Sequence, residues 1–303
     1  MTAAPRPPAP QWVTVLSAAE CDAVRRLISD AERADGIAPV GEQVLRDLAG
    51  PAGGHLVAAD PHGEVVGYLH LTSGSDGGDA AAELVVHPQA RRRGIGAAMM
   101  RAAIERSGGR IRFWAHGTLP AATAAADAAG LRAVRSLTQM TRPLSDLPDT
   151  VVPQGVTVRT FAGQQDHAEL LRVNNAAFDW HPEQGGWTDH VLVARLGQPW
   201  FEPEGLFLAF DDATGRLVGF HWTKIHDGNV GEVYVLGVDP AAHGRGLGRA
   251  LTVVGMRHLA GRLVGGEQPE VMLYVESDNT AALATYRGLG FTVEGVDTAF
   301  APA

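Results

Sequence analysis

Two short segments carry residue types suited to holding an anion: Arg91-Arg-Arg-Gly-Ile-Gly96 and His243-Gly-Arg-Gly-Leu-Gly248. Each follows an apolar run that ends in His87-Pro88 or Asp239-Pro240, and each opens a stretch with helical spacing of apolar residues; in the second these are Leu247, Leu251, Val254 and Leu259. A helix start leaves backbone N–H groups unsatisfied, and glycines let the chain come close to a phosphate, so strand, glycine turn and helix together make an anion cradle. Arg91, Arg92, Arg93 and Arg245 add positive charge there. A plainer use of the same glycines is a tight strand-to-helix turn, and two such segments at matching positions weigh against it. No lysine-serine pair follows and no G-x-G-x-x-G is completed, so neither the Walker pattern nor the dinucleotide fingerprint fits.

The matching positions belong to an internal repeat. Gly63-Glu-Val-Val-Gly67 matches Gly215-Arg-Leu-Val-Gly219 (215 − 63 = 152), and both the Pro motifs and the glycine segments recur at that offset (239 − 87 and 245 − 93). Such a period is too long for a solenoid and implies two copies of one domain. In the first copy Ser17 caps an expected helix to about Ala34, and a short second helix follows the loop after it. A hairpin (55–59, 64–71), a strand (83–86), the glycine turn with a helix from Ile95, a strand (111–114) and a helix (121–129) complete it. The second copy repeats this with hairpin strands at 206–210 and 217–225 and strands at 232–238 and 271–276. The expected organisation is a flexible Pro-rich tail over 1–10, a first domain over 11–140, a proline-bearing linker over 141–155 and a second domain over 156–303.

Composition narrows the function classes. Of 303 residues 45% are hydrophobic and 19% charged, ordinary for a folded chain, and the net charge of −9 argues against a nucleic-acid binder. No apolar run approaches the ~20 residues of a membrane span, and no signal-peptide core opens the chain. The single cysteine, Cys21, cannot form an internal disulfide, which fits a reducing cytoplasm; it reads as a small buried side chain. The 12 histidines show no metal-binding spacing, so no metal is expected.

The strand plus Arg91-Arg-Arg-Gly-Ile-Gly96 resembles the acyl-CoA pyrophosphate loop of the GCN5-related N-acetyltransferases, Gln/Arg-x-x-Gly-x-Gly/Ala. The second loop departs in carrying His243 where that family has Gln or Arg. Asp278-Asn-Thr-Ala-Ala282 and Tyr286-Arg-Gly-Leu-Gly-Phe291 are similar to the family's closing segment, and the resemblance runs through nearly the whole chain, twice. It implies an α/β fold of two tandem GCN5-related N-acetyltransferase domains, each a mixed, mostly antiparallel sheet flanked by helices. It also implies acetyl-CoA as cosubstrate. The cofactor contacts it implies are Leu84, Val85 and Val86 with Arg91, Arg92, Arg93, Gly94, Ile95 and Gly96 in the first copy. In the second copy Leu236, Gly237 and Val238 would serve the pantetheine arm and His243, Gly244, Arg245, Gly246, Leu247, Gly248 and Arg249 the pyrophosphate. Asn279, Thr280, Ala281, Ala282, Leu283 and Ala284 would follow the rest of the arm.

Acetyl transfer to an amine needs a base for the ammonium, a polarised carbonyl and a proton for the leaving thiolate. The resemblance implies Glu232 as base and Tyr286 as acid, with a backbone N–H near Val238 at the carbonyl. At the repeat offset Glu232 falls on Ala80 (232 − 152), and at the offset of the C-terminal segments (290 − 130 = 160) Tyr286 falls on Ala126 and Asn279 on Leu119. The second copy is therefore expected to catalyse and the first to be non-catalytic. The loops Ala34-Asp-Gly-Ile-Ala-Pro-Val-Gly-Glu-Gln43 and His181-Pro-Glu-Gln-Gly-Gly-Trp187 are similar to those of tandem actinobacterial members of the family that acetylate a cysteinyl-glucosaminyl-inositol. That likeness implies a small pseudodisaccharide amine as partner, met by Asp35, Glu183, Lys224, Glu232 and Tyr274; a monomer is expected, though no residue pattern speaks to the oligomeric state. Lys224 is the only lysine in the chain. Taken singly, the two loop carboxylates suit solvated positions and Tyr274 a strand core. Trp180, Trp187 and Trp200 suit packing as well as sugar stacking. Another amine, such as an aminoglycoside or a protein N-terminus, and a non-catalytic acyl-CoA sensor remain as alternatives.

Overall fold

Ser17 caps the first helix, α1 (Ala18–Asp35), through a reciprocal box: its side chain accepts from the Glu20 N–H, and the Glu20 carboxylate accepts from the Ser17 N–H. Gly36 ends the helix in the left-handed conformation at φ 74°. The computed structural model describes residues 9–51, 53–74, 78–181, 184–226, 229–263 and 268–303. The first eight residues of the expected tail lie outside that set.

Two compact units emerge: the residues through Leu137 joined by Gly295–Ala303, and Thr138–Glu294. In the first unit the strands are β1 (Gln11–Val13), β2 (Gly54–Ala59), β3 (Val65–Thr72), β4 (Ala80–Val86) and β5 (Ile111–Ala115). They pair in that order, antiparallel except for the parallel β4–β5 ladder. The chain's last strand, β12 (Thr292–Pro302), adds antiparallel to β5 through Thr298–Phe300. Helices α2 (Glu42–Asp47), α3 (Ile95–Arg106) and α4 (Pro120–Ala128) complete the unit. Strand alternation gives two cores. Tyr68 and Val85 join Val24, Leu27 and Ile28 of α1 on one face, whereas Leu69 and Phe113 join Met99, Met100 and Ala103 of α3 on the other.

The second unit repeats this plan with β7 (Val156–Thr160), β8 (Leu206–Asp211), β9 (Leu217–His226), β10 (Val230–Val238) and β11 (Glu270–Glu276). Again only the β10–β11 pair among these is parallel. The strand β6 (Leu131–Pro143) leaves the first unit and its later part lies beside β11. Thr141–Pro143, assigned to the linker on proline content, are therefore strand: pairing with a distant partner leaves no mark on local composition. Helices α5 (His167–Ala177) and α6 (Asp189–Leu196) cover one face around Trp222 and Phe220. Helix α7 (Leu247–Arg262) covers the other with Val253, Met256 and Leu259, and α8 (Thr280–Arg287) joins it through Leu283 and Tyr286. Each leucine buried this way contributes about 1.5–3 kcal/mol. No described helix is long and apolar enough to cross a membrane.

Candidate active site

The second unit opens where β10 and β11 part. Their ladder runs Val230↔Glu270, Gly231↔Val271, Glu232↔Met272 and stops, although β10 continues to Val238. From Val233 to Val238 the β10 edge toward β11 has no strand partner among the described residues, while its other edge stays paired to β9 as far as Val238↔Gly219. An open edge of N–H and C=O groups can pair with an amide-bearing chain laid along it. A bulge lies in the same stretch: the β9 register shifts between Val233 and Val235, leaving Tyr234 as the extra residue. The resemblance points to a carbonyl-polarising N–H near Val238; the bulge supplies unpaired backbone at Tyr234.

Beyond Val238 the chain turns through Asp239, whose side chain accepts from the Ala241 N–H, and enters the glycine loop. Gly244 and Gly246 take left-handed φ of 77° and 79°, and a Cβ at either would meet nothing within 4 Å, so their backbone faces open space. The start of α7 lies beside β10: a Cβ at Gly248 would sit 4.0 Å from the Leu236 and Val238 side chains, an ordinary contact. The first-turn N–H groups of α7 have no intrahelical partner. These features fit a diphosphate. The first unit builds the same turn, with Gly94 at φ 82° and a Gly96 Cβ position 3.7 Å from Val86.

The departure at His243 has a structural account. His243 Nε2 lies 3.1 Å from the Val238 carbonyl, and at the repeat-equivalent place Arg91 Nε donates to the Val86 carbonyl at 3.1 Å. Both side chains tether the strand end. The rest of the Arg91 guanidinium is committed to Asp35, with bidentate bonds of 2.8 and 2.6 Å. Arg92 and Arg93 are exposed. Arg245 pairs with Asp211 at 3.2 Å, and Arg249 donates to the Gly288 carbonyl at 3.1 Å.

At the last rung of the ladder stands Glu232, directly opposite Lys224 on β9. Its Oε2 is 2.7 Å from His226 Nε2, and both side chains are largely buried, at 12% and 16% exposure. Lys224 Nζ sits 5.5 Å from the Trp200 ring centroid, and Trp200 packs edge-on against Tyr234. Arg195 donates to the Tyr234 hydroxyl at 2.6 Å and stacks on Trp187. Burial raises the Tyr234 hydroxyl's pKa. Tyr274 is 43% exposed on β11, and Glu276, two residues on, lies 3.6 Å from His181. Asn279 caps α8, its Oδ1 accepting from the Ala282 N–H at 3.1 Å. Within α8, Tyr286 is buried against Phe291, and its hydroxyl has no hydrogen-bond partner among the described residues. Burial pushes its pKa up to about 12. Glu183 lies outside the described residues. Trp187 is buried, Trp200 packs on the core, and Trp180 is 57% exposed.

The first unit lacks this set. The strand partner of Lys224 is Glu232; the repeat equivalent of Lys224, Thr72 (224 − 152), is paired with Ala81. The β10 bulge thus moves the counterpart of Glu232 one residue from the Ala80 given by the bare offset, and it is alanine either way. A carboxylate does stand at the last rung of the β4–β5 ladder, Glu83 opposite Trp114. Its Oε2 accepts from the Gly41 N–H at 2.6 Å and meets His116 Nε2 at 2.9 Å. Leu119 opens α4 with no side-chain cap, where Asn279 caps α8, and Ala126 takes the place of Tyr286. Only three residues of β4, Leu84, Val85 and Val86, extend past the ladder.

His226, Tyr234 and Arg195 were not singled out in the sequence. The one local signal for His226 was its place two residues beyond Lys224 on an alternating strand.

The acetyltransferase (GNAT) family profile matches residues 174–291, and a second acetyltransferase (GNAT) domain profile matches residues 51–130. A mycothiol acetyltransferase of Mycobacterium sp. (strain JLS) is 57% identical over 96% of this chain and 97% of its own. That of Mycolicibacterium smegmatis is also 57% identical, over 96% of this chain and 98% of its own. Among solved structures, a GCN5-related N-acetyltransferase from Sphaerobacter thermophilus shares the fold with a TM-score of 0.79 at 24% identity, covering 97% of this chain and 95% of the other. A tandem GNAT protein from the clavulanic acid biosynthesis pathway does so with a TM-score of 0.70 at 22% identity, covering 96% and 97%.

Proposed function

We propose, for a chain that belongs to the mycothiol acetyltransferases of the GNAT family, that its second unit carries out the reaction. The chain is an acetyl-CoA-dependent N-acetyltransferase; the acceptor is the cysteinyl amine of desacetylmycothiol, and the products are mycothiol and CoA. The observation that carries the assignment to the second unit is the open β10 edge, with Glu232 at its last paired rung and a glycine loop at its far end.

Acetyl-CoA supplies the acetyl thioester. The first-turn N–H groups of α7, with Gly244 and Gly246, hold the diphosphate, and the open backbone at Leu236, Gly237 and Val238 pairs with the pantetheine amides. Asn279 fixes the start of α8 for the remainder of the arm. An α-amino group titrates near ~8, so at neutral pH much of the acceptor carries a proton that Glu232 removes. The free amine adds to the thioester carbonyl, whose oxygen takes hydrogen bonds from backbone N–H at the bulge. As the C–S bond breaks, the Tyr286 hydroxyl donates its proton to the sulfur, and the second proton of the attacking nitrogen, lost as the amide forms, returns to the tyrosinate through water; burial keeps that hydroxyl protonated at neutral pH. Lys224 and Tyr274, with Glu183, recognise acceptor hydroxyls. The first unit is read as non-catalytic because alanines replace the base and acid positions. A single buried cysteine fits a cytoplasmic setting.

Mass spectrometry of the product formed from purified protein, acetyl-CoA and desacetylmycothiol tests this reading. A gain of one acetyl group on the cysteinyl nitrogen supports it. Acetylation of aminoglycosides or peptide N-termini at a higher kcat/KM would replace the acceptor, and no CoA release with any amine would end the enzymatic reading.

A further inference from the structure

We infer that His226 is a positioning residue for Glu232, an inference that rests on Glu232 being the base. The two side chains are diagonal neighbours across the β9–β10 ladder: His226 is paired with Val230, two residues from Glu232 on the same strand. Nε2 of His226 and Oε2 of Glu232 are 2.7 Å apart in a largely buried setting. A hydrogen bond to a carboxylate at that length is roughly twice as strong as a neutral one. It ties one carboxylate oxygen and leaves Oε1 to meet the acceptor amine.

The first unit has neither member of the pair. At the repeat offset His226 becomes Gly74 (226 − 152), and the counterpart of Glu232 is Ala81. Both partners are missing together from the unit that lacks the other proton-handling groups, where the β3–β4 ladder ends at Thr72↔Ala81, the counterpart of the Lys224↔Glu232 rung. A glutamate has three rotatable side-chain bonds, so without the imidazole its carboxylate spreads over several rotamers. Misplacing a reacting group by about 1 Å can lower a rate ~10²-fold.

Steady-state kinetics on His226→Ala, His226→Gln and His226→Asn, each with and without Glu232→Gln, test the assignment. The alanine variant is expected to lose about 10- to 100-fold in kcat with KM for acetyl-CoA unchanged. Glutamine, whose amide nitrogen reaches the same distance as Nε2, restores most of that rate; the shorter asparagine does not. In the Glu232→Gln background, removing His226 costs nothing more. Wild-type turnover of His226→Ala beside an inactive Glu232→Gln overturns the role of His226 and leaves the base in place. Wild-type turnover of Glu232→Gln overturns the base itself. Equal rescue by Asn and Gln means that the imidazole only fills space, and that also overturns the inference. Should the alanine variant fail to fold, the Gln-against-Asn comparison decides.

Discussion

Nδ1 of His116 lies 2.9 Å from Oδ2 of Asp297, 181 residues further along the chain. The other ring nitrogen meets Glu83 at 2.9 Å, and Asp297 also accepts from the Gly117 N–H at 2.8 Å. The last strand is thereby fastened into the first unit by an imidazolium between two carboxylates.

That cluster makes the stability of the first unit pH-dependent. Burial works against the charge on His116, but the bonds to Asp297 and Glu83 outweigh it and raise its pKa to about 10. Since an unfolded histidine titrates near ~6.5, the stabilisation is complete below that pH and is lost as pH rises through about 10. Denaturant titration should show His116→Ala to be less stable than wild type by about 1–3 kcal/mol at pH 6, with the gap closing above pH 10. A gap independent of pH would mean that His116 contributes by packing alone.

The two glycine loops should respond unequally to the same change. Gly246 and Gly94 both sit at left-handed φ, 79° and 82°, with open space beyond the Cβ position. A valine at either adds backbone strain of about 1–2 kcal/mol and stands where an anion would approach. Gly246→Val is expected to raise KM for acetyl-CoA about tenfold or more, the equivalent of ~1.4 kcal/mol, and Gly94→Val to leave turnover near wild type. The reverse pattern would place the reaction in the first unit.

Tyr286→Phe separates the acid from the core. Phenylalanine keeps the ring that packs on Phe291 in the core, so the melting temperature should stay within a degree or two of wild type, a shift of ~0.5 kcal/mol. Loss of a general acid lowers kcat by roughly 10²-fold or more. A kcat near wild type would assign the thiolate's proton to another donor.

Lys224 should govern the acceptor and not the cosubstrate. Lys224→Ala is expected to raise KM for desacetylmycothiol about tenfold while KM for acetyl-CoA holds, and Lys224→Arg to recover only part, because a planar fork of donors does not reproduce the position and donor geometry of a compact ammonium. Equal changes in both KM values would make Lys224 a structural residue of the β9–β10 hairpin.

Local signals made much of this readable from sequence. Ser17 and Glu20 announce the start of α1, the glycines between Val238 and Leu247 mark a strand-to-helix turn, and the repeat offset pairs His243 with Arg91. Features set by pairing at a distance were not readable. The β10 bulge at Tyr234, the early end of the β10–β11 ladder and the docking of Thr298–Phe300 on β5 depend on which strand lies alongside, and periodicity is silent on that. Arg91 looked like a phosphate ligand from its charge; the structure joins it to Asp35, a partner 56 residues away.

Turnover of Glu232→Gln with acetyl-CoA and desacetylmycothiol, followed by CoA release at saturating substrates, bears on the whole scheme most directly. A fall of about 10²-fold or more, with acetyl-CoA still bound at wild-type affinity, is the expected result. Undiminished turnover would show that the acceptor loses its proton elsewhere, and the division of labour between the two units drawn from this carboxylate would be wrong.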